Sequence, residues 1–377
     1  MTVFNKPYLT GKEGHYIYQA IDSGKISGNG IFTKKCHNFF EERFGFNKCL
    51  LTTSCTDALE MAAMLSNITT GDEVIVPSYT FVSSALAFVR QGASIIFADS
   101  GMENPNMDTE KLEALITHRT KAIVPVHYAG VSCDMDAIMA LADKYNLLVI
   151  EDAAQSIDSY YKGKPLGSIG HFGAFSFHET KNIISGEGGM LCINDSRFAK
   201  RAEVIWEKGT DRASFFRGEV DKYGWVDIGS SFLPSEIISA FLYAQLENMD
   251  TIQLKRKSLW NRYYNALKPL ADLGLFSLPH IPEYASNNAH MFYLVCNLPA
   301  ERAALIERLK EEDVLAVFHY LSLHKSSYYN DKHVGGPLMQ SDRYSDCLVR
   351  LPMYYELSNE EVDKVVKVIE IFYGRNS

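Results

Sequence analysis

Long apolar runs are missing from this chain. No stretch of about 18 apolar residues occurs, which is what a membrane-crossing helix needs, so no span is expected. The opening "MTVFNKPYLTGKEG" has no apolar core and no cleavage pattern. A signal peptide is therefore not expected, and cytoplasmic residence is. Paired cysteine spacing is missing too. Cys36, Cys49, Cys55, Cys133, Cys192, Cys296 and Cys347 are scattered, odd in number and never C-x-x-C. That argues against a disulfide framework or a zinc site and for reduced thiols. Positive charge is in deficit: 37 Lys and Arg stand against 46 Asp and Glu, a net charge of −9. Without a basic stripe, nucleic acid is not an expected partner, although a pocket can be locally positive on an acidic protein. Internal repeats, low-complexity segments and Gly/Ser linkers are also absent, so the parts of the chain should pack tightly.

What is present is ordinary globular composition, 46% hydrophobic and 22% charged, over 377 residues. That length suits a sizeable core in two domains, or one large domain with an appendage. The first two thirds alternate short β-rich runs with helical patterns. Candidate strands are "CLLTT" (49–53), "EVIVP" (73–77), "SIIFAD" (94–99), "AIVPVHY" (122–128), "LLVIED" (147–152), "GAFSF" (173–177) and "MLCIN" (190–194). Several are continuously apolar, as strands covered on both faces should be. The expected fold class is α/β, a mostly parallel seven-stranded sheet with helices on both faces, and ligands gather at the carboxyl ends of such strands. After about residue 195 long helical patterns take over, with two helices joined near Asp250 or one bent helix. The expected division is a large domain over 1–247 and a smaller α+β domain over 248–377, on which the N-terminal segment can pack.

Three strand ends carry unusual chemistry. In "TTSCTDALEMAA", Ser54, Cys55 and Thr56 precede a helix, whose N-terminal N–H groups suit a phosphate. Ser54 or Thr56 could equally be a plain N-cap. In "LLVIEDAAQS", Glu151 and Asp152 end an apolar strand, either facing a ligand or capping the next segment. In "SFHETKNIISGEGG", Ser176 ends a strand, Lys181 follows five positions on, and a glycine cluster allows tight backbone geometry. Taken singly, that stretch could be a glycine-rich hairpin with a surface lysine. Together the three describe a site for pyridoxal 5′-phosphate, which needs an amine for its aldehyde, a carboxylate for its ring nitrogen and a phosphate cradle. Lys181 is the candidate amine and Asp152 the candidate carboxylate. Thr56, the N–H groups near Cys55, and Ser176 form the candidate cradle. Arg212 and Arg217 in "TDRASFFRG" either bind a phosphate group, because arginine binds phosphate bidentately, or are two solvated loop arginines.

The chain resembles the DegT/DnrJ/EryC1/StrS sugar aminotransferases, a group of fold-type I enzymes, over nearly its whole length. "GDEVIVPSYTFVSSA", "PVHYAG", "VIEDAAQS", "FSFHETKNIISGEGGM", "FHYLSLH" and "RLPMYYELS" carry the likeness. Within the family it is most similar to the dTDP-4-amino-4,6-dideoxygalactose transaminases, through "SGKISGNGIFTKKC", "SCTDALEMAA" and "FFRGEVDKYGWVDIGSS". The resemblance implies that Lys181 binds the cofactor and moves the proton, and that Asp152 holds the ring nitrogen. It further implies that Gln155 bonds the phenolic oxygen, Phe81 stacks on the ring, and Ser176, Thr56 and the Cys55 backbone bind phosphate. The family's asparagine that reaches a neighbouring subunit's phosphate is replaced here by Ser231. His319, Tyr320 and His324 fall where the family approaches its sugar nucleotide, although a packed aromatic strand reads the same way.

The implied activity is transfer of an amino group from L-glutamate to the C4 ketone of dTDP-4-dehydro-6-deoxy-glucose, in a homodimer with shared sites. The same chemistry on C3 or another nucleotide-linked keto sugar is the nearest rival. A dehydratase of this scaffold carries histidine where Lys181 stands, and a non-catalytic binding module would not need Lys181, Asp152 and Gln155 intact.

Overall fold

The computed structural model describes residues 1–374. Seven strands form the main sheet: β1 (Lys48–Thr52), β2 (Glu73–Pro77), β3 (Ser94–Ala98), β4 (Thr120–Ile123), β5 (Leu148–Asp152), β8 (Phe172–Ser176) and β9 (Gly189–Ile193). A small hairpin, β6 (Tyr160–Tyr161) with β7 (Lys164–Pro165), interrupts that series. The order across the sheet is β1-β9-β8-β5-β4-β2-β3. Pairings from β8 through β3 are parallel, and β9 runs antiparallel to both β1 and β8. Every residue of β2 and β9 is buried. That is why these strands read as unbroken apolar runs: helices cover both faces.

The expected fourth strand (122–128) is shorter than its composition suggested. Pro125 has no N–H to give a ladder. The chain leaves the sheet there, keeps one bridge between Val126 and Asp152, and turns through Tyr128–Gly130 with Ala129 at φ 57°. The long helical run near residue 250 resolves into two helices, Glu236–Glu247 and Met249–Ala271.

The remaining strands, β10 (Phe276–Ser277), β11 (Phe292–Cys296) and β12 (Leu348–Leu351), make an antiparallel sheet with its own core, including Leu259, Tyr263, Phe292, Leu294 and Val365. The N-terminal residues lie on this part: Thr2 bridges Val314, and Met353 N–H donates to Phe4 O at 3.3 Å. The strand-like run 315–322 makes one bridge, Val317 with Arg350. It then bends at Tyr320, whose φ is 37°, and this bend carries the Tyr320 ring over the main sheet's strand ends.

Candidate active site

A cavity of about 410 Å³ opens at the carboxyl ends of the central strands. One wall is the main sheet, and the other is the bend at Tyr320 with β12. Asp152, Lys181, Ser176, Thr56, Gln155 and Tyr320 all line it.

Asp152 is the last residue of β5 and is buried. Its Oδ2 accepts from Ser84 Oγ at 2.6 Å and its Oδ1 from Ala154 N–H at 3.1 Å. Burial pushes its pKa up, while these donors, Lys181 and His127 pull against the rise. Strand alternation turns its neighbour Glu151 to the other face. There the fully buried Glu151 carboxylate accepts from His127 Nε2 at 2.9 Å and from the N–H groups of Gly167, Ile169 and Gly170 at 2.6–2.7 Å. The Cys133 N–H donates to His127 Nδ1 at 3.2 Å, which leaves Nε2 to donate to Glu151. Of the two adjacent carboxylates, one faces the cavity and the other ties the turn beneath it.

Ser176 ends β8, and the chain leaves the sheet and returns as β9 at Gly189, with Phe177 N–H donating to Gly188 O at 2.8 Å. Lys181 sits in this excursion. Its amine has no hydrogen-bond partner among the described residues, and burial lowers its pKa to about 8. Gly189 permits a close approach: a Cβ there would collide with the backbone of Ser54 and Cys55. The helix Cys55–Leu65 therefore starts directly against the strand. Ser54 is its cap, accepting from Asp57 N–H at 3.0 Å. Thr56, one residue inside, instead turns to Ser83 Oγ at 2.7 Å.

Gln155 Oε1 accepts from Ala129 N–H at 2.6 Å, and its Nε2 donates to the Tyr320 hydroxyl at 2.9 Å. The His319 ring stacks on Tyr320 with centroids 3.5 Å apart, and its Nδ1 meets Tyr128 OH at 2.6 Å. Burial holds His319 and His290 well below the usual imidazole pKa, so both are neutral at pH 7. Phe81 lines the cavity with its side chain 55% exposed, free to cover a planar ligand.

Four expected residues lie elsewhere. Ser231 and Arg212 line a second, open cavity of about 600 Å³ with Lys25, Asn29, Lys34 and Lys208. Arg217 is held by Glu203 and Glu219, each at 2.8 Å. His324 is buried, with Nδ1 2.7 Å from Ser78 Oγ, and fastens the 315–325 segment to the sheet.

Ser84, His290 and Arg350 were not foreseen. Ser84 carried a usable signal, since it lies on the helix after β2 beside the strand end that holds Asp152. The residues present fit pyridoxal 5′-phosphate. The amine is unpaired and partly neutral near pH 8, the carboxylate is buried and aimed into the same space, and a helix N-terminus is free of side-chain obstruction at Gly189.

The sequence pattern of the DegT/DnrJ/EryC1/StrS aminotransferase family matches residues 7–370. The GDP-perosamine synthase of Escherichia coli O157:H7 is 32% identical over 376 residues, covering 98% of each chain. The spore coat polysaccharide biosynthesis protein SpsC of Bacillus subtilis (strain 168) is 31% identical over 375 residues, covering 97% of this chain and 95% of that one. Among solved structures, the aminotransferase from Psychrobacter cryohalolentis superposes with a TM-score of 0.91 at 28% identity, covering 97% of this chain and 98% of that one.

Proposed function

From the premise that this chain belongs to the DegT/DnrJ/EryC1/StrS aminotransferase family, whose members use pyridoxal 5′-phosphate, we propose that it aminates a nucleotide-linked keto sugar. The donor in this reading is L-glutamate, and the acceptor is dTDP-4-dehydro-6-deoxy-glucose. The product is dTDP-4-amino-4,6-dideoxygalactose for a surface polysaccharide. The observation that carries the reading is one cavity holding an amine unpaired among the described residues, Lys181, and a buried carboxylate, Asp152, beside the N-terminus of the helix Cys55–Leu65.

When bound, the cofactor supplies an aldehyde carbon for the donor's amine and a ring that takes up electrons from the neighbouring carbon. In this reading Lys181 Nζ would hold that aldehyde carbon, and as a free amine it would move the proton at the donor's α-carbon and at the sugar carbon that receives the amine. Asp152 would bond the ring nitrogen and favour its protonated form. Gln155 spends one N–H on Tyr320 and keeps a second for the phenolic oxygen. Phe81 covers the ring face. Ser176, Thr56 and the backbone N–H of Cys55 hold the phosphate.

In a homodimer, Ser231 and Arg212 serve the other protomer's site from the open cavity. The exposed Trp225 and Phe216, at 86% and 71%, support burial of this region against a second copy. The 32% identity to a GDP-perosamine synthase makes a GDP-linked sugar the competing acceptor.

Incubation with L-glutamate and a panel of dTDP- and GDP-linked 3-keto and 4-keto sugars, followed by NMR of the product, tests this. The expected product carries an axial amine at C4 of a dTDP-linked sugar. An amine at C3, or turnover of the GDP-linked sugars alone, would refute the assignment of the acceptor.

A further inference from the structure

Asn182 follows Lys181 in the chain, and its side chain is buried in a polar cluster behind the cavity. Its Nδ2 donates to Gln253 Oε1 and to Asn288 O, each at 2.8 Å. A backbone carbonyl only accepts, so the amide's orientation is fixed and Oδ1 points the other way. That oxygen lies 2.9 Å from His290 Nδ1. An oxygen that only accepts requires Nδ1 to carry the proton. Burial keeps the imidazole neutral, so Nε2 is left with a lone pair.

The His290 ring is 3% exposed and lines the cavity that holds Lys181 and Tyr320. With Nδ1 tied to the cluster, the far edge of the ring faces that space. Among the described residues nothing donates to Nε2, and it is not sealed off as a buried, unpaired atom. The position is also rigid. Asn288 Nδ2 donates to Gln155 O at 2.8 Å and to Ile157 O at 2.9 Å, while its Oδ1 accepts from the His290 N–H at 3.0 Å. Arg256 donates to His290 O at 2.7 Å. A fixed, neutral acceptor in a desolvated cavity calls for one kind of partner, an O–H or N–H group brought by a ligand.

We propose that His290 Nε2 accepts a hydrogen bond from the hydroxyl on the sugar carbon next to the ketone, and so selects acceptors that carry a hydroxyl there. The inference rests on the transamination reading above. It points to the sugar and not the donor on chemical grounds. The donor's carboxylates only accept hydrogen bonds, and its amine is the group given up to the cofactor. A keto sugar brings O–H groups on the carbons adjoining the one that reacts, within the cavity of Lys181. A deoxy sugar would leave the lone pair unpaired. A site built to bond a hydroxyl rejects the analogue lacking it far more strongly than an apolar pocket rejects a change of size.

The test compares dTDP-4-dehydro-6-deoxy-glucose with its 3-deoxy counterpart as acceptors for the cofactor-loaded protein. The wild type should prefer the hydroxylated sugar in kcat/KM by about 10- to 100-fold. His290→Asn keeps a donor near the place of Nδ1 for Asn182 and loses the acceptor at Nε2. In that variant kcat/KM for the hydroxylated sugar should fall about 10- to 100-fold and that for the deoxy sugar by less than about 3-fold, so the preference vanishes. Bleaching by L-glutamate, which involves no sugar, should keep its rate and half-saturation within about 2-fold. His290→Gln, whose amide oxygen reaches the place of Nε2, should recover part of the preference.

An equal loss with both sugars would overturn the proposal, because His290 would then only support the cavity wall. So would an unchanged preference in His290→Asn, or slowed bleaching by glutamate, which would assign the imidazole to holding the Lys181 segment. If His290→Asn does not load cofactor, His290→Ala decides by the same ratio. A wild type that takes both sugars equally overturns the proposal without any variant. If the wild type turns over another keto sugar instead, the assignment of the acceptor alone falls, and that sugar is compared with its counterpart lacking the neighbouring hydroxyl. If glutamate leaves the wild-type band unchanged, the transamination reading falls and this assignment falls with it.

Discussion

At the scale of single residues, the cavity works by denying a charged group its usual surroundings. The half-buried Lys181 amine has no partner among the described residues, and desolvation lowers its pKa from 10.5 to about 8. Between those values an unfolded chain binds a proton that the folded cofactor-free protein does not. The site's contribution to stability therefore rises as pH climbs from about 8 to about 10.5 and is lowest below 8. Thermal melting of the cofactor-free protein should show this rise, on the order of 3 kcal/mol across that window, and Lys181→Met should abolish it. By the same shift, capture of pyridoxal 5′-phosphate should speed up with pH and level off just above 8, as seen by stopped-flow absorbance. A pH-independent rate between 7 and 9 would contradict the assignment. Lys181→Ala should lower turnover by about 10²–10⁴-fold or more, and full turnover in that variant would refute the proposed mechanism.

At the scale of elements, the strand ends do the positioning. Period-2 alternation along β5 separates Asp152 from Glu151, and Glu151 holds three backbone N–H groups and His127 beneath the cavity. Glu151→Gln removes the charge those donors address and should cost about 3–5 kcal/mol in urea unfolding; a cost under about 1 kcal/mol would show the cluster to be slack. Gly189→Ala forces a Cβ into the Ser54–Cys55 backbone. It should cost about 1–3 kcal/mol and weaken cofactor binding, measured by equilibrium dialysis.

Much of this was legible beforehand. Burial on both faces leaves an apolar run that announces each strand, and β-α alternation fixes the ligand end of the sheet. The end of β4 was not legible to the residue, because Pro125 changes the pairing without breaking the apolar pattern. The place of Arg350 in the cavity was not legible either. In "LVRL" it reads as an ordinary charged position on a small strand, and only the folded molecule shows that no acceptor approaches it. Arg217 looked like an anion site but is neutralised by Glu203 and Glu219, one of them fourteen residues away along the chain.

At the scale of the whole molecule, the cavity joins the main sheet to the C-terminal part. Asp152 and Lys181 come from one, and Tyr320 and Arg350 from the other. The proposed homodimer extends this sharing to a second copy. Light scattering should give twice the 42.4 kDa chain mass. Trp225→Glu, at an exposed apolar position, should shift the protein toward monomer and lower its cofactor retention. A fully active monomer would exclude shared sites.

The most direct test of the whole account is the visible absorbance of the purified, cofactor-loaded protein through two additions. L-glutamate should bleach the band, and after its removal dTDP-4-dehydro-6-deoxy-glucose should restore it with release of an aminated sugar. A band that glutamate leaves unchanged, or that no nucleotide-linked keto sugar restores, would contradict it.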